Sequence, residues 1–119
     1  MKTKSQFNFR RHESEIKKNI CDYLQILENQ GKIYFTRNNS FQGKIKRVNG
    51  SEGYIKNNKL GTPDFLICYQ GKYIGLEVKT ESGKQSAEQK KAQKAIERTG
   101  GKYFIIRSVR DICFLFYKI

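Results

Sequence analysis

The chain has 119 residues, enough for one domain with a single modest core. Lysine and arginine number 24 against 11 acidic residues, and the net charge of +13 predicts a polyanionic partner such as nucleic acid. No apolar run is long enough for a transmembrane helix, and residues 1–5 lead into no signal-peptide core, so we expect no membrane association and a cytoplasmic location.

The three cysteines, Cys21, Cys68 and Cys113, are an odd number without close spacing. Each has apolar neighbours, which predicts reduced core residues of a cytosolic protein. A zinc site would need paired ligand spacing and more histidine than the lone His12, so the sequence argues against zinc.

The first predicted element is a helix that begins near His12 and ends at Gly31. Its apolar residues recur at steps of three and four: Ile16, Ile20, Leu24 and Leu27. Glu13 belongs to the same stripe and is predicted to point inward, whereas Glu15 falls on another face. A first-turn glutamate that only stabilises the helix dipole is the alternative for Glu13.

A basic segment follows the first predicted strand, which runs from Ile33 to Asn38. The Asn49-Gly50 dipeptide predicts a tight turn, and residues 39–60 are interpreted as a basic hairpin or flap that carries function. Tyr54 or Phe41 is a candidate for stacking on an unpaired base. The residues expected to contact phosphates, without reading sequence, are Lys44, Lys46, Arg47, Lys56, Lys59 and, further along, Lys84. For any one residue of this segment, a solvated basic loop is an equal alternative.

A β-hairpin is predicted next, from two apolar and aromatic runs, Phe65–Tyr69 and Tyr73–Val78, with Gln70-Gly71 as the turn. Pro63 suits the start of the first strand, which places Asp64 at its mouth. On the second strand, alternation of side chains places Glu77 and Lys79 on one face and Val78 on the other.

Charges at these positions of a strand that otherwise enters a core suggest a metal site. Hard cations such as Mg²⁺ take carboxylate oxygens, which Asp64 and Glu77 supply, and the backbone carbonyl of Val78 is a candidate third ligand. Lys79 would stabilise charge on a phosphate or orient the attacking water. This arrangement suits hydrolysis of a phosphodiester. The alternative is an ordinary hairpin with a surface ion pair between Glu77 and a lysine.

The last third of the chain predicts a helix and two strands. The helix spans Ser86–Thr99, begins with a capping box that ends at Gln89, and is closed by two glycines. Strands are predicted at Lys102–Arg107 and Ile112–Tyr117. The predicted order is therefore α-β-β-β-α-β-β, one mixed sheet flanked by helices, in a single domain 1–119 with residues 1–11 as a loose arm.

The pair Pro63-Asp64, followed by Glu77-Val78-Lys79 with Glu77 thirteen residues after Asp64, resembles the PD-(D/E)XK nuclease superfamily. With Gly61-Thr62 before it and Thr80 to Lys84 after it, the string is similar to the VRR-NUC branch, which is related to Holliday-junction resolvases. The resemblance implies an α/β, restriction-endonuclease-like fold with an αβββαβ core. It also implies an Mg²⁺- or Mn²⁺-dependent DNA endonuclease, selective for junctions, flaps or other branched DNA, from a bacterial or phage-infected cell. The Val-Arg-Arg motif that names the branch has no convincing counterpart here.

Further roles come from the resemblance alone. It implies that a glutamate at the start of the first helix reaches the metal, which is Glu13, with Glu15 as the fallback. It implies a polar contact of Gln89 beside the metal and the scissile phosphate, against the capping role that the local sequence also predicts. Small relatives imply a homodimer, for which the final apolar strand is the candidate interface. A nucleic-acid-binding protein without catalysis, on a nuclease scaffold, is the alternative function.

Overall fold

The structure, a computed structural model, describes residues 12–38, 42–56 and 59–118. Its elements are α1 (Glu13–Asn29), β1 (Tyr34–Arg37), β2 (Gln42–Lys46), β3 (Glu52–Lys56), β4 (Phe65–Tyr69), β5 (Lys72–Val78), α2 (Ala87–Arg98), β6 (Lys102–Ile106) and α3 (Val109–Lys118). The predicted arm at 1–11 and the stacking candidate Phe41 lie outside the described residues. No helix within the described ranges is both long and apolar enough to cross a bilayer.

Four strands form a mixed sheet in the order β1-β4-β5-β6. The β1–β4 and β4–β5 pairs are antiparallel, and the β5–β6 pair is parallel. A parallel pair needs a long crossover, and α2 lies in that connection. Strands β2 and β3 form a separate two-stranded hairpin, which belongs to the chain connection from β1 to β4. The other elements, up to β6, follow the expected αβββαβ order, so the predicted α/β fold with a mixed, helix-flanked sheet is confirmed.

The turn between β4 and β5 sets the register of the central strands. Gln70 and Gly71 both have positive φ, 49° and 76°, as a two-residue type I′ turn requires. From this turn the pairing runs without a bulge from Tyr69 opposite Lys72 to Phe65 opposite Leu76. The residue before β4 therefore lies beside the last residues of β5, which is where the acidic residues of this hairpin are.

The core fills the space between the sheet and two helices. Its buried members are Ile16, Ile20 and Leu24 of α1, Ile112 and Leu115 of α3, Ile33, and the strand residues Phe65, Ile67, Ile74, Leu76, Val78 and Ile106. Helix α2 covers the opposite face, where Gly75 allows a close approach. A side chain at Gly75 would meet Pro63 Cγ at 2.7 Å and Ile96 Cδ1 at 3.7 Å.

The prediction of a final strand at Ile112–Tyr117 is wrong, since this segment belongs to helix α3. The Asp111 carboxylate accepts a hydrogen bond from the backbone N–H of Arg107 (2.8 Å), which ties the start of the helix to the end of β6. Ile112 and Leu115 are buried while Phe114 is 59% exposed, a helical spacing. A nearly continuous apolar run hides this period, and the proposed edge-strand dimer interface is withdrawn with the strand.

The expectation that all three cysteines are core residues is also wrong. All three are free thiols, but only Cys21 is half-buried, whereas Cys68 and Cys113 are exposed. On β4, Cys68 follows Ile67, whose side chain is buried. Because successive side chains of a strand point to opposite faces, Cys68 points away from the core. Apolar neighbours in sequence therefore did not indicate burial.

The helical assignment of the last segment can be tested with two truncations two residues apart. Ile112→Ala should lower the free energy of unfolding by about 2–4 kcal/mol, because it removes a fully buried side chain. Phe114→Ala should cost less than ~1 kcal/mol, because that ring is mostly in solvent. Urea unfolding followed by circular dichroism measures both. In a strand the two side chains would share a face, so equal large losses would contradict the helix.

Candidate metal centre

Three carboxylates from three different elements converge at one end of the sheet. Glu13 is the first residue of α1, Asp64 immediately precedes β4, and Glu77 lies near the end of β5. One carboxylate oxygen of each lies within 4.8 Å of the others. Glu15, the fallback for the helix acid, is exposed and outside this group. The structure thus brings together the three acids named from the sequence.

The cluster has a buried floor and an open side. The Glu77 side chain is only 4% exposed, that of Asp64 18% and that of Glu13 43%. Glu77 is the one buried charged residue in the described part of the chain. The openness at Glu13 leaves access for a ligand from solvent, while Glu77 anchors the site in the sheet.

Asp64 is held in a fixed orientation by backbone groups on both sides. Its Oδ2 accepts a hydrogen bond from the Val78 backbone N–H (2.8 Å), and its own carbonyl accepts one from the backbone N–H of Asn38 (2.8 Å). The role predicted for the Val78 carbonyl as a metal ligand stays a prediction. The contact observed at Val78 is made by its backbone N–H, which donates to the Asp64 carboxylate and orients it.

Two ammonium groups flank the three carboxylates. Lys79 is the residue after β5, its Nζ lies 3.9 Å from Glu77 Oε2, and its side chain is 14% exposed. Lys17 Nζ lies 2.9 Å from Asp64 Oδ1 and 4.0 Å from Glu13 Oε2. Sequence reasoning missed Lys17. The signal available was its position four residues after Glu13, which places both on one helix face.

The electrostatics of the floor favour a neutral Glu77 in the protein without a bound cation. Burial, and after it hydrogen bonding and negative charge from Asp64, raise the pKa of Glu77 from its ordinary value of 4.5 to about 9. Lys79 and Lys17 oppose the rise only in part. A cation bound at the cluster would stabilise the ionised form of Glu77, because its charge offsets both the burial of this side chain and the repulsion from the neighbouring carboxylate.

The donor set decides which ions fit. Three carboxylates offer only hard oxygen ligands, which suit Mg²⁺ or Mn²⁺, and the cluster contains no histidine or cysteine of the kind zinc sites use. The cluster can therefore bind a hard divalent cation, and Glu13, Asp64 and Glu77 would hold it.

Gln89 makes the capping contact that its local sequence predicts. Its Oε1 accepts a hydrogen bond from the Ser86 backbone N–H (2.8 Å), and Ser86 Oγ accepts one from the Gln89 backbone N–H (3.2 Å). These two bonds complete a capping box at the start of α2. The catalytic contact of Gln89 stays a prediction.

Arg107 is a second residue near the centre that sequence reasoning missed. Its Nη1 donates to the carbonyls of Thr80 (2.5 Å) and Gly83 (2.9 Å), which holds the loop that follows Lys79. This loop, the start of α1 and Arg107 line a cleft of about 450 Å³ that includes Glu13. Arg107 thus shapes the open side of the cluster, through contacts that join residues far apart in sequence.

Tyr103 is a third. It is 5% exposed, and its hydroxyl has no hydrogen bond of normal geometry within the described ranges, although the Gln85 side chain is close enough to influence it. Burial raises the pKa of Tyr103 to about 12, and the charges of Glu77 and Asp64 contribute to the rise. The neutral phenol adds a polar group beside the acidic floor.

The basic residues predicted to contact nucleic acid divide into two kinds. Lys44 and Lys46 are exposed on β2, where Lys44 lies opposite Tyr54 and Lys46 lies opposite Glu52, so one face of the hairpin carries two lysines, one glutamate and a 59% exposed ring. Arg47 instead donates from Nη1 to the Glu52 carbonyl (2.8 Å), and its guanidinium lies against Gly53. Lys59 and Lys84 are exposed elsewhere, and the side chain of Lys56 lies outside the described residues.

Comparisons with known proteins bear on the fold. No family sequence model and no curated protein sequence matches the chain. Among solved structures, the chain is similar to one described as "VRR_NUC domain", with a TM-score of 0.61 and 18% sequence identity over 88% of this chain and 94% of that one. The chain has the fold of a VRR_NUC domain, and the likeness seen in the sequence is confirmed at that level.

The raised pKa of Glu77 predicts how the free energy of unfolding of the metal-free protein depends on pH. The folded state binds more protons than the unfolded one between pH 4.5 and about 9, so Glu77 makes the wild type lose stability as pH rises through that window. Glu77→Gln should therefore raise the free energy of unfolding at pH 8 by at least ~1 kcal/mol, since one pKa unit corresponds to about 1.4 kcal/mol. Urea unfolding in EDTA measures this.

The gain should shrink as the pH falls towards 4.5, below which the unfolded state also holds the proton. Glu15→Gln is the matched control, because Glu15 is exposed and outside the cluster. A Glu77→Gln variant that is no more stable than wild type at pH 8 would contradict the electrostatic account of the floor.

Proposed function

We propose that this chain, which has the fold of a VRR_NUC domain, is a metal-dependent endonuclease that hydrolyses phosphodiester bonds in DNA. The observation that carries the proposal is the convergence of Glu13, Asp64 and Glu77 within 4.8 Å, with Lys79 3.9 Å from Glu77. Carboxylates on a hard cation beside a lysine form the arrangement that this hydrolysis requires. The cation, Mg²⁺ or Mn²⁺, would supply Lewis-acid stabilisation of the phosphate and a more acidic bound water.

The residues of the chain divide the work between them. Asp64, fixed by the Val78 amide, and the buried Glu77 would form the rigid part of the site, and Glu13 would close it from the open side. The Val78 carbonyl is a proposed additional ligand. Lys79 would donate to a phosphate oxygen or to the attacking water, at the place where negative charge develops.

The proposed substrate is DNA, recognised through its backbone. The net charge of +13 and the exposed Lys44, Lys46, Lys59 and Lys84 suit phosphate contacts. Tyr54 lies directly opposite Lys44 in the hairpin and would stack on an unpaired base, which favours flaps, junctions or other branched DNA over an uninterrupted duplex. No helix or other strand packs on the β2–β3 hairpin within the described ranges, so its basic face is open to a partner.

We extend the proposal to a homodimer. Two copies would place two metal centres on two strands of one branched DNA molecule, and closed two-fold symmetry is the commonest form of self-association. Sedimentation of the protein, alone and with a four-way junction, measures this. A monomer mass that does not change with concentration in either case would remove this part of the proposal.

Asp64→Asn tests the metal-dependent chemistry. It removes the negative charge while keeping the shape of the side chain, so cleavage should fall at least ~100-fold. The affinity for DNA should stay within about threefold, because phosphate contacts elsewhere are intact. Cleavage of single-stranded, duplex, flap and four-way-junction DNA, with Mg²⁺ or Mn²⁺, and binding in EDTA give the two readouts.

Asp22→Asn is the matched control, the same substitution on the exposed side of α1, and it should cleave as the wild type does. Wild-type protein that binds these DNAs with steep salt dependence but yields no product with either metal would overturn the nuclease. It would leave a nucleic-acid-binding protein without catalysis.

The hairpin face makes a second prediction. The double substitution Lys44→Gln with Lys46→Gln should weaken DNA binding and reduce the slope of log affinity against log salt by about 1 for each phosphate that the protein no longer neutralises. Fluorescence anisotropy from 50 to 300 mM salt measures the slope. Lys90→Gln with Lys94→Gln on exposed positions of α2 removes the same charge. Equal effects of the two pairs would show that net charge, not the hairpin face, sets the affinity.

A further inference from the structure

Lys17 does not behave as a surface lysine. Its side chain is 24% exposed, and its ammonium lies between two of the three carboxylates, 2.9 Å from Asp64 Oδ1 and 4.0 Å from Glu13 Oε2. The next residue, Lys18, shows the ordinary case on the same helix. It is 75% exposed and pairs with Asp22, which is 64% exposed, at 3.2 Å. An exposed ion pair such as Lys18–Asp22 contributes little to the stability of the protein.

The oxygen that Lys17 contacts is the Asp64 oxygen that is most available to a cation. Asp64 Oδ2 already accepts the Val78 N–H, so Oδ1 is the oxygen of this carboxylate that no backbone group occupies. Lys17 Nζ lies at that oxygen. A divalent cation at the same place would be a few ångströms from a positive ammonium in a partly buried site, where their repulsion is poorly screened. The two cannot share Oδ1 without strong repulsion.

The two lysines of the centre also have different partners. Lys79 contacts Glu77, on the floor, and leaves Asp64 to Lys17. Lys17 is carried by the helix that also carries Glu13, and Glu13 lies at the open side of the cluster and lines the cleft. The position of Lys17 therefore allows it to leave Asp64 without any rearrangement of the sheet.

We propose that Lys17 is an internal counter-ion of the metal centre: it holds Asp64 Oδ1 in the metal-free protein, leaves it when a cation binds, and thereby sets the metal affinity. After it leaves, the ammonium lies farther from the cation, towards solvent at the open side of the cluster, where the Glu13 side chain is 43% exposed. This inference rests on the proposed metal-dependent function. It makes Lys17 a positioning residue that competes with the metal, whereas a purely structural ion pair would support the site in every state.

Lys17→Met tests the proposal, because it keeps the apolar stem and removes the charge. Mn²⁺ binding to the DNA-free protein, measured by calorimetry and by electron paramagnetic resonance of free Mn²⁺, should tighten ~tenfold or more, since a repulsion between nearby like charges is removed. Lys18→Met, the same change one residue on, should stay within about twofold of wild type. Lys17→Arg keeps the charge and should also bind Mn²⁺ as the wild type does.

Thermal unfolding provides a readout that does not need activity. In EDTA, Lys17→Met should unfold at a lower temperature than Lys18→Met, because Asp64 loses its counter-ion. In saturating Mn²⁺ the gap should close, because the cation takes over that role. Lys17→Gln replaces Lys17→Met in both measurements if the methionine variant does not fold.

The outcomes separate this inference from the proposed function. Mn²⁺ affinity that is unchanged or weaker in Lys17→Met overturns the counter-ion role. If Asp64→Asn still abolishes Mn²⁺ binding in that case, the metal centre itself stands. Mn²⁺ that binds wild type and Asp64→Asn alike, or binds neither wild type nor Lys17→Met, overturns the metal centre and the counter-ion together.

Discussion

The antiparallel pairing of β4 with β5 is the constraint on which the rest of the site depends. The type I′ turn at Gln70 and Gly71 fixes the register, and the register brings the Asp64 carboxylate to the Val78 amide at 2.8 Å. A shift of one residue would turn Glu77 into the core that Leu76 and Val78 now fill. Because that core excludes charge, packing and the chemistry of the site select the same register.

Placing acids at the end of a buried strand has an electrostatic cost. Glu77 is almost fully buried next to another carboxylate, and its pKa of about 9 expresses that cost. Lys79 and Lys17 offset part of it from the two sides of the cluster. A bound cation would offset both the burial of Glu77 and its repulsion from the neighbouring carboxylate.

Local signals predicted most of the fold because each has a local physical cause. Helix α1 follows from the stripe of Ile16, Ile20 and Leu24, and α2 from its capping box. The central hairpin follows from its turn residues. The error at α3 has a cause as well. A run in which nearly every residue is apolar shows no period, so only packing against α1 and the sheet decides which residues are inside, and that packing makes it a helix.

The candidate site divides in the same way. By itself, the sequence determined that Asp64, Glu77 and Lys79 lie at one end of a hairpin, because strand alternation and turn length are local rules. Only the tertiary structure decided that Lys17 reaches Asp64 and that Arg107 holds the loop at Thr80, since these contacts join α1 to β4 and β6 to the loop after β5. No local rule relates residues on separate elements, and such pairs meet only after the core between the elements has formed.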